Sequence, residues 1–179
     1  IYVLTGPNRG GKSVITCAVG LAFVMAQLGL PVCAQDCAIS PCDEIFTHFP
    51  TGSEDTIDKG RLGEECSRLG AIFESVTENS LVLLDESLSS TGAFEGAYIA
   101  SEVLQGFSMV GCRAIFSTHL HDLAASVDSI NDTCIPQGGV RIDNLVADIE
   151  KGSRSFKILR KKPDGKSYAR DVAEKYGLS

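Results

Sequence analysis

No stretch of the 179 residues reaches the roughly 18 consecutive apolar positions that a bilayer span requires, so the chain is expected to be soluble, with no membrane partner. The most apolar segment, Cys17 to Leu30, follows a glycine-rich loop and has no basic flank at the chain start, so that segment is not expected to be a signal peptide. Basic residues are scarce: 16 Lys+Arg against 23 Asp+Glu give a net charge of −7, which excludes a generally basic, nucleic-acid-coating surface. Any such contact has to be local or indirect. Paired CxxC spacings are also missing. Cys33, Cys37 and Cys42 follow C-x3-C-x4-C with only His48 nearby, a poor zinc pattern, so all seven cysteines are read as small buried hydrophobes. Their odd number, without secretory context, points to reduced thiols and a cytoplasmic location. Internal repeats and low-complexity segments are absent. So is an initiator Met, and Ile1-Tyr2-Val3-Leu4 opens as a strand already under way, the expectation for a fragment of a longer protein.

The length fits a single domain spanning residues 1–179, and 44% hydrophobic with 22% charged residues is the composition of a globular fold. Charge is distributed unevenly. Residues 1–150 carry 7 basic and 20 acidic side chains, whereas residues 151–179 carry 9 basic and 3 acidic, read as a solvated basic face.

Local pattern predicts an alternation of strands and helices. After the opening strand and a glycine loop, Val14 to Leu28 is a helix closed by Gly29 and Pro31. Glu44 to Thr47 is extended, and Gly52 to Gly60 is a polar loop. Glu64 to Val76 is a helix with Leu69, Ile72, Phe73 and Val76 on one side. Leu81-Val82-Leu83-Leu84-Asp85 reads as a strand buried on both faces of a parallel sheet. A Ser/Thr/Gly loop to Gly92, a helix from Phe94 to Phe107 and a strand from Ala114 to Ser117 follow, the last ending at Thr118-His119. Beyond Pro136, residues 140–148 and 155–160 alternate as an antiparallel pair, and Tyr168 to Tyr176 is a short last helix. The fold class is α/β, a mostly parallel sheet flanked by helices.

Gly6 to Ser13 satisfies G-x-x-x-x-G-K-S, in which glycines let successive N–H groups point at phosphate oxygens and the next helix adds its positive end. Lys12 would reach the β- and γ-phosphates, and Ser13 would place its hydroxyl on Mg²⁺. Asp85 and Glu86 end an apolar strand at the sheet edge that receives this loop. Asp85 can therefore support the metal, and Glu86 can orient or deprotonate water. His119, past the next strand, could sense the γ-phosphate from the same edge. His121 is the alternative sensor, and His48 is read as structural.

These residues resemble the C-terminal ATPase domain of the MutS mismatch-repair family, a branch of the ABC-type P-loop ATPases. The matching stretches are Thr5-Gly-Pro-Asn-Arg-Gly-Gly-Lys-Ser13, Asp43-Glu-Ile-Phe-Thr47, Gly60-Arg61, Ser80-Leu-Val-Leu-Leu-Asp-Glu86, Ser117-Thr-His119 and Lys166-Ser-Tyr168, nearly the whole chain. The resemblance implies a domain that binds ATP (or ADP) and Mg²⁺, forms homo- or heterodimers, and hydrolyses ATP in sites completed by the partner, with DNA bound by domains outside this chain. The implied nucleotide set is Gly6, Pro7, Asn8, Arg9, Gly10, Gly11, Lys12, Ser13 and Val14. Ser13 and Asp85 serve the metal, and Glu86 and His119 are catalytic. Ser90-Thr91-Gly92 matches the loop that crosses to the other subunit.

Two departures from the family pattern bear on function. Leu62-Gly63 follows Gly60-Arg61 where the family has Ser-Thr, so a serine hydroxyl offered to the partner's nucleotide is missing; the Gly63 N–H and the helix start could replace it, with Glu64 and Glu65 opposing phosphate. Arg9 stands at an apolar position of the family, either touching nucleotide or extending into solvent. The expectation is an ATPase of a divergent MutS-like protein. The alternative is a nucleotide-operated dimerisation clamp with negligible hydrolysis. A small-molecule kinase is more distant, since no Arg-rich lid is present.

Overall fold

Successive strand residues point to opposite faces of a sheet, and three strands here are apolar at every other position on both faces, so they can only be stable with helices above and below. A computed structural model of the chain, describing residues 1–7, 10–49, 60–150 and 153–163, has this layered arrangement. Its elements in chain order are β1 (Tyr2–Thr5), α1 (Lys12–Gln27), β2 (Ile45–His48), α2 (Gly60–Ser75), β3 (Leu81–Asp85) and α3 (Ala93–Val110). There follow β4 (Arg113–Ser117), α4 (His121–Cys134), a 3-10 turn (Ile135–Gln137), β5 (Asp143–Glu150) and β6 (Ser153–Arg160). The six strands form one sheet in the order β2-β3-β4-β1-β5-β6. All neighbours are parallel except β5 and β6, which pair antiparallel as their alternation predicts, with an irregularity between Ala147 and Ile149.

One core gathers Val3, Val82, Leu84, Ala114 and Phe116 from the sheet with Leu69 and Ile72 of α2, Leu104 and Phe107 of α3, and Leu123 and Val127 of α4. The other gathers Leu4, Leu81, Leu83 and Ile115 with Phe23 of α1. Parallel register brings Leu83 beside Ile115 and Leu84 beside Phe116, so each strand feeds both cores. Phe73 of α2 stacks on Phe107 of α3, ring centroids 4.4 Å apart.

The structure amends the sequence reading in four places. Helix α4, absent from that reading, buries Leu123, Ala124, Val127, Ile130 and Cys134 at helical spacing. Helix α2 begins at Gly60 instead of Glu64, so Arg61, Leu62 and Gly63 lie in its first turn. The reading of every cysteine as buried is wrong: Cys112 and Cys134 are buried and Cys42 is half-buried, but Cys17, Cys33, Cys37 and Cys66 are exposed. The reason is placement. Cys17 shares the outer face of α1 with Val14 and Leu21, which are also exposed, and Cys33 and Cys37 lie in the irregular segment after α1. Finally, part of the basic end is paired and not merely solvated, Arg160 with Asp143, Lys161 with Asp148 and Lys162 with Asp128. Asn8, Arg9, most of the loop placed at 52–60, Lys166-Ser-Tyr168 and the helix placed at 168–176 lie outside the described residues.

Candidate functional site

Because β1, β3 and β4 run parallel, their carboxyl ends reach the same edge of the sheet, where an open α/β sheet has its crevice. β1 delivers the glycine loop there. Gly6 has φ +142° and a Cβ on it would lie 2.6 Å from the Ala147 Cβ of β5, so the chain can turn off β1 only without a side chain. The Gly10 N–H then donates to the Pro7 carbonyl at 3.0 Å, and Gly11 caps the start of α1.

Lys12 opens α1 yet is only 4% exposed. Its ammonium curls back over the loop, donating to the carbonyls of Gly6 at 3.2 Å and Pro7 at 3.4 Å, and it lies 3.9 Å from Glu86 Oε1. Burial lowers its pKa, while the charges of Glu86 and Asp85 oppose that shift. Ser13 is exposed at the first turn of the helix, and Val14 is 73% exposed beside it.

Asp85 ends β3, is 5% exposed, and its Oδ1 has no hydrogen-bond partner among the described residues. Ser117, its register partner on β4, likewise has an unpartnered, buried hydroxyl. Each of these two neighbouring strand ends therefore carries a buried polar atom with hydrogen-bonding capacity left over among the described residues. The next residue, Glu86, leaves the strand with φ +49°, and Leu88 repeats the left-handed geometry at φ +64°. Each costs on the order of 1 kcal/mol or more for a residue with a side chain, so the turn persists because its surroundings fix it.

A cavity of about 490 Å³ lies against the loop, lined by Gly10 to Ile15, Ala18, Glu86, Phe156 and Ile158. It is of the size that holds a small organic ligand. Its far wall comes from β6, where Phe156 has φ +56° and is 73% exposed. A smaller cavity, about 50 Å³, lies on the other side of Glu86, lined by His48, Arg61, Glu65, Arg68, Asp85 and Ser87 among others.

The structure thus brings together Gly6, Pro7, Gly10, Gly11, Lys12, Ser13, Val14, Asp85 and Glu86. His119 lies two residues beyond β4, exposed, and lines neither cavity; the Thr118 N–H donates to the Leu4 carbonyl at 2.9 Å, which keeps this segment beside the end of β1. His121 opens α4 and is also exposed.

Several further residues lie at this edge, among them His48, which the sequence reading took as structural. His48 ends β2, is 3% exposed, and its Nδ1 lies 2.6 Å from Ser87 Oγ. Burial pushes its pKa down, Arg68 adds to the effect and Glu65 opposes it. Phe156 and Ile158 escaped notice, because only the antiparallel return of β6 beside β5 brings residues some 140 positions apart in sequence to the glycine loop.

The family model MutS domain V matches residues 2–179, and the chain belongs to that family. It is 42% identical to the DNA mismatch repair protein Msh6 of Gallus gallus over 124 residues, 68% of this chain and 9% of that protein. It is 34% identical to the DNA mismatch repair protein MutS of Thermosipho melanesiensis over 184 residues, 99% of this chain and 21% of that protein. It is 35% identical to Endonuclease MutS2 of Clostridioides difficile over 181 residues, 99% of this chain and 22% of that protein. The chain therefore spans between about a tenth and about a fifth of the length of these relatives.

Proposed function

We propose that this MutS domain V binds ATP on the β1–α1 loop and hydrolyses it with Glu86 as the residue acting on water. The observation that carries the reading is the meeting of three groups at one sheet edge: a buried Lys12 held by weak bonds to loop carbonyls, Glu86 3.9 Å from it, and an unpartnered Asp85 Oδ1. The lysine bonds of 3.2 and 3.4 Å are long, so Lys12 can exchange them for phosphate oxygens at little loss. The Gly11 N–H at the start of α1 supports the same anion. Phe156 and Ile158 supply an apolar wall suited to the base and sugar side of the ligand.

Asp85 and Ser13 are hard oxygen donors that fit Mg²⁺, and the orphaned Asp85 Oδ1 is the atom with capacity to spare. When bound, Mg²⁺ would neutralise charge on the phosphates. Glu86 would orient an incoming water and accept its proton, and Lys12 would hold the γ-phosphate in line with that water. His119 is proposed as the residue that contacts the γ-phosphate, a role requiring the 118–119 segment to turn inward.

The mismatch-repair names of the relatives support a wider role in which this domain powers a DNA-processing protein, its nucleotide state coupled to dimerisation and to DNA held by other domains. A second reading has its own observation. Leu62 and Gly63 occupy the first turn of α2, where the family's hydroxyl residues would face a partner's nucleotide, and this favours a clamp that binds ATP and hydrolyses little.

The deciding measurement is Mg-ATP turnover against protein concentration in the full-length protein, with Glu86→Gln as the blank. Specific activity that rises with concentration and vanishes in the variant is the expected result. Tight ATP binding with turnover no higher than the blank would replace the hydrolase with the clamp.

A further inference from the structure

The chain leaves β3 through a turn that no ordinary residue favours. Glu86 and Leu88 are both left-handed, neither is glycine, and Leu88 is fully buried. Such a turn relaxes unless its neighbours hold it. Three of its restraints come from the rigid frame. The Glu86 N–H donates to the Ser117 carbonyl of β4 at 2.8 Å, and Ser87 Oγ meets His48 Nδ1 of β2 at 2.6 Å. Helix α3 passes so close that a Cβ on Gly96 would sit 2.8 Å from the Leu88 carbonyl oxygen.

The fourth restraint is of another kind. The Leu88 N–H donates to Glu65 Oε2 at 2.5 Å, a charge-assisted bond from a side chain of α2. Glu65 lies one turn beyond Arg61, and Arg61, Glu65 and Arg68, spaced three or four residues apart on α2, line the same small cavity as Asp85, Glu86 and Ser87. The N-terminal half of α2 therefore faces the turn, and one carboxylate joins the two.

We propose that Glu65 is a positioning residue for Glu86: by holding the Leu88 N–H it fixes the left-handed turn that aims the Glu86 carboxylate, and so ties that carboxylate to helix α2. This rests on the hydrolysis proposed above. A movement of the α2 start, where Gly60-Arg61-Leu62-Gly63 lie, reaches Glu86 through two residues of backbone and one hydrogen bond. The sheet-based restraints keep the turn in place, and Glu65 sets its aim.

The test compares the parent full-length protein with Glu65→Ala and Glu65→Gln, using three readouts: turnover at saturating Mg-ATP, equilibrium affinity for a fluorescent ATP analogue, and amide hydrogen exchange of the peptide containing Leu88. Glutamine keeps one acceptor oxygen for the Leu88 N–H, while losing the charge and carrying an NH2 in place of the second oxygen. The expected result for Glu65→Ala is a turnover lower by about tenfold to a hundredfold, the scale of a misplaced catalytic group, with affinity unchanged and faster exchange at Leu88. Glu65→Gln should restore most of both. Parent-like turnover in Glu65→Ala would overturn the proposal, as would affinity and turnover falling together in both variants, the mark of a general structural role. A parent whose turnover does not exceed the Glu86→Gln blank removes the hydrolysis itself and the positioning role with it; altered exchange in Glu65→Ala would then mark the bond as structural only.

Discussion

Lys12 Nζ and Glu86 Oε1 lie 3.9 Å apart at the carboxyl edge of the sheet, one group opening a helix and the other leaving a strand 74 residues later. The ammonium is almost fully buried, and among the described residues it donates long hydrogen bonds to the Gly6 and Pro7 carbonyls, which phosphate oxygens can replace. Lys12→Ala should weaken ATP binding by about a hundredfold or more, the loss expected when a charged, hydrogen-bonding group is removed from a desolvated anion site. Because a buried, partly desolvated charge is costly to fold, the thermal midpoint of the variant should stay within a few degrees of the parent. Isothermal titration with Mg-ATP beside a melting curve checks both, and unchanged affinity would remove the loop from the nucleotide site.

Asn131 holds the end of α4 to the strand that follows. Its side-chain amide donates to the Ile142 carbonyl at 2.7 Å and accepts the Ile142 N–H at 2.8 Å, both in the interior. Removing the amide leaves two backbone groups of a buried residue without partners. Asn131→Ala is expected to cost about 2–4 kcal/mol, one desolvation penalty for each orphaned group. Denaturant unfolding followed by far-UV circular dichroism measures it, and a loss under 1 kcal/mol would mean that water enters and replaces the amide.

What could be read from the sequence was what is written in contiguous residues. The strand that ends in Asp85-Glu86 and helix α1 each depend on neighbours within a few positions, and the structure has them within two residues of where the pattern put them. The antiparallel β5–β6 pair was legible from alternation, but its place next to β1 was not, and with it went the wall formed by Phe156 and Ile158. Helix α4 carried a clear helical spacing at Leu123, Val127, Ile130 and Cys134 that the motif-bearing His119 and His121 overshadowed. His48 was read as structural, and its buried contact with Ser87, 39 residues away, agrees with that reading, although the partner could not be named from the sequence. The exposed cysteines were misread for a related reason. Residue type says that a thiol can be buried, whereas the outer face of α1 and the segment after it are set by tertiary packing.

Cys112 is the cysteine whose chemistry the fold changes most. It lies one residue before β4, 2% exposed, with Sγ 3.8 Å from the Phe107 carbonyl, and burial raises its pKa from 9.0 to about 11. A group whose pKa is raised on folding holds more protons in the native state at intermediate pH. Its contribution is therefore fully present below pH 9 and falls as pH rises toward 11, because only the unfolded thiol can ionise in that window. The loss approaches the order of 2 kcal/mol at the upper end. Cys112→Ala should flatten the decline of unfolding free energy between pH 9 and pH 11 relative to the parent, whatever it does to stability at pH 7. The same burial has a kinetic consequence. Under iodoacetamide at pH 8, mass spectrometry should find Cys17, Cys33, Cys37 and Cys66 alkylated first and Cys112 only after denaturation, since the thiolate is the nucleophile and the buried thiol supplies neither the charge nor access. Early labelling of Cys112 together with an unchanged pH slope in Cys112→Ala would mean that the β4 start opens readily and that the thiol titrates as it does in the unfolded chain.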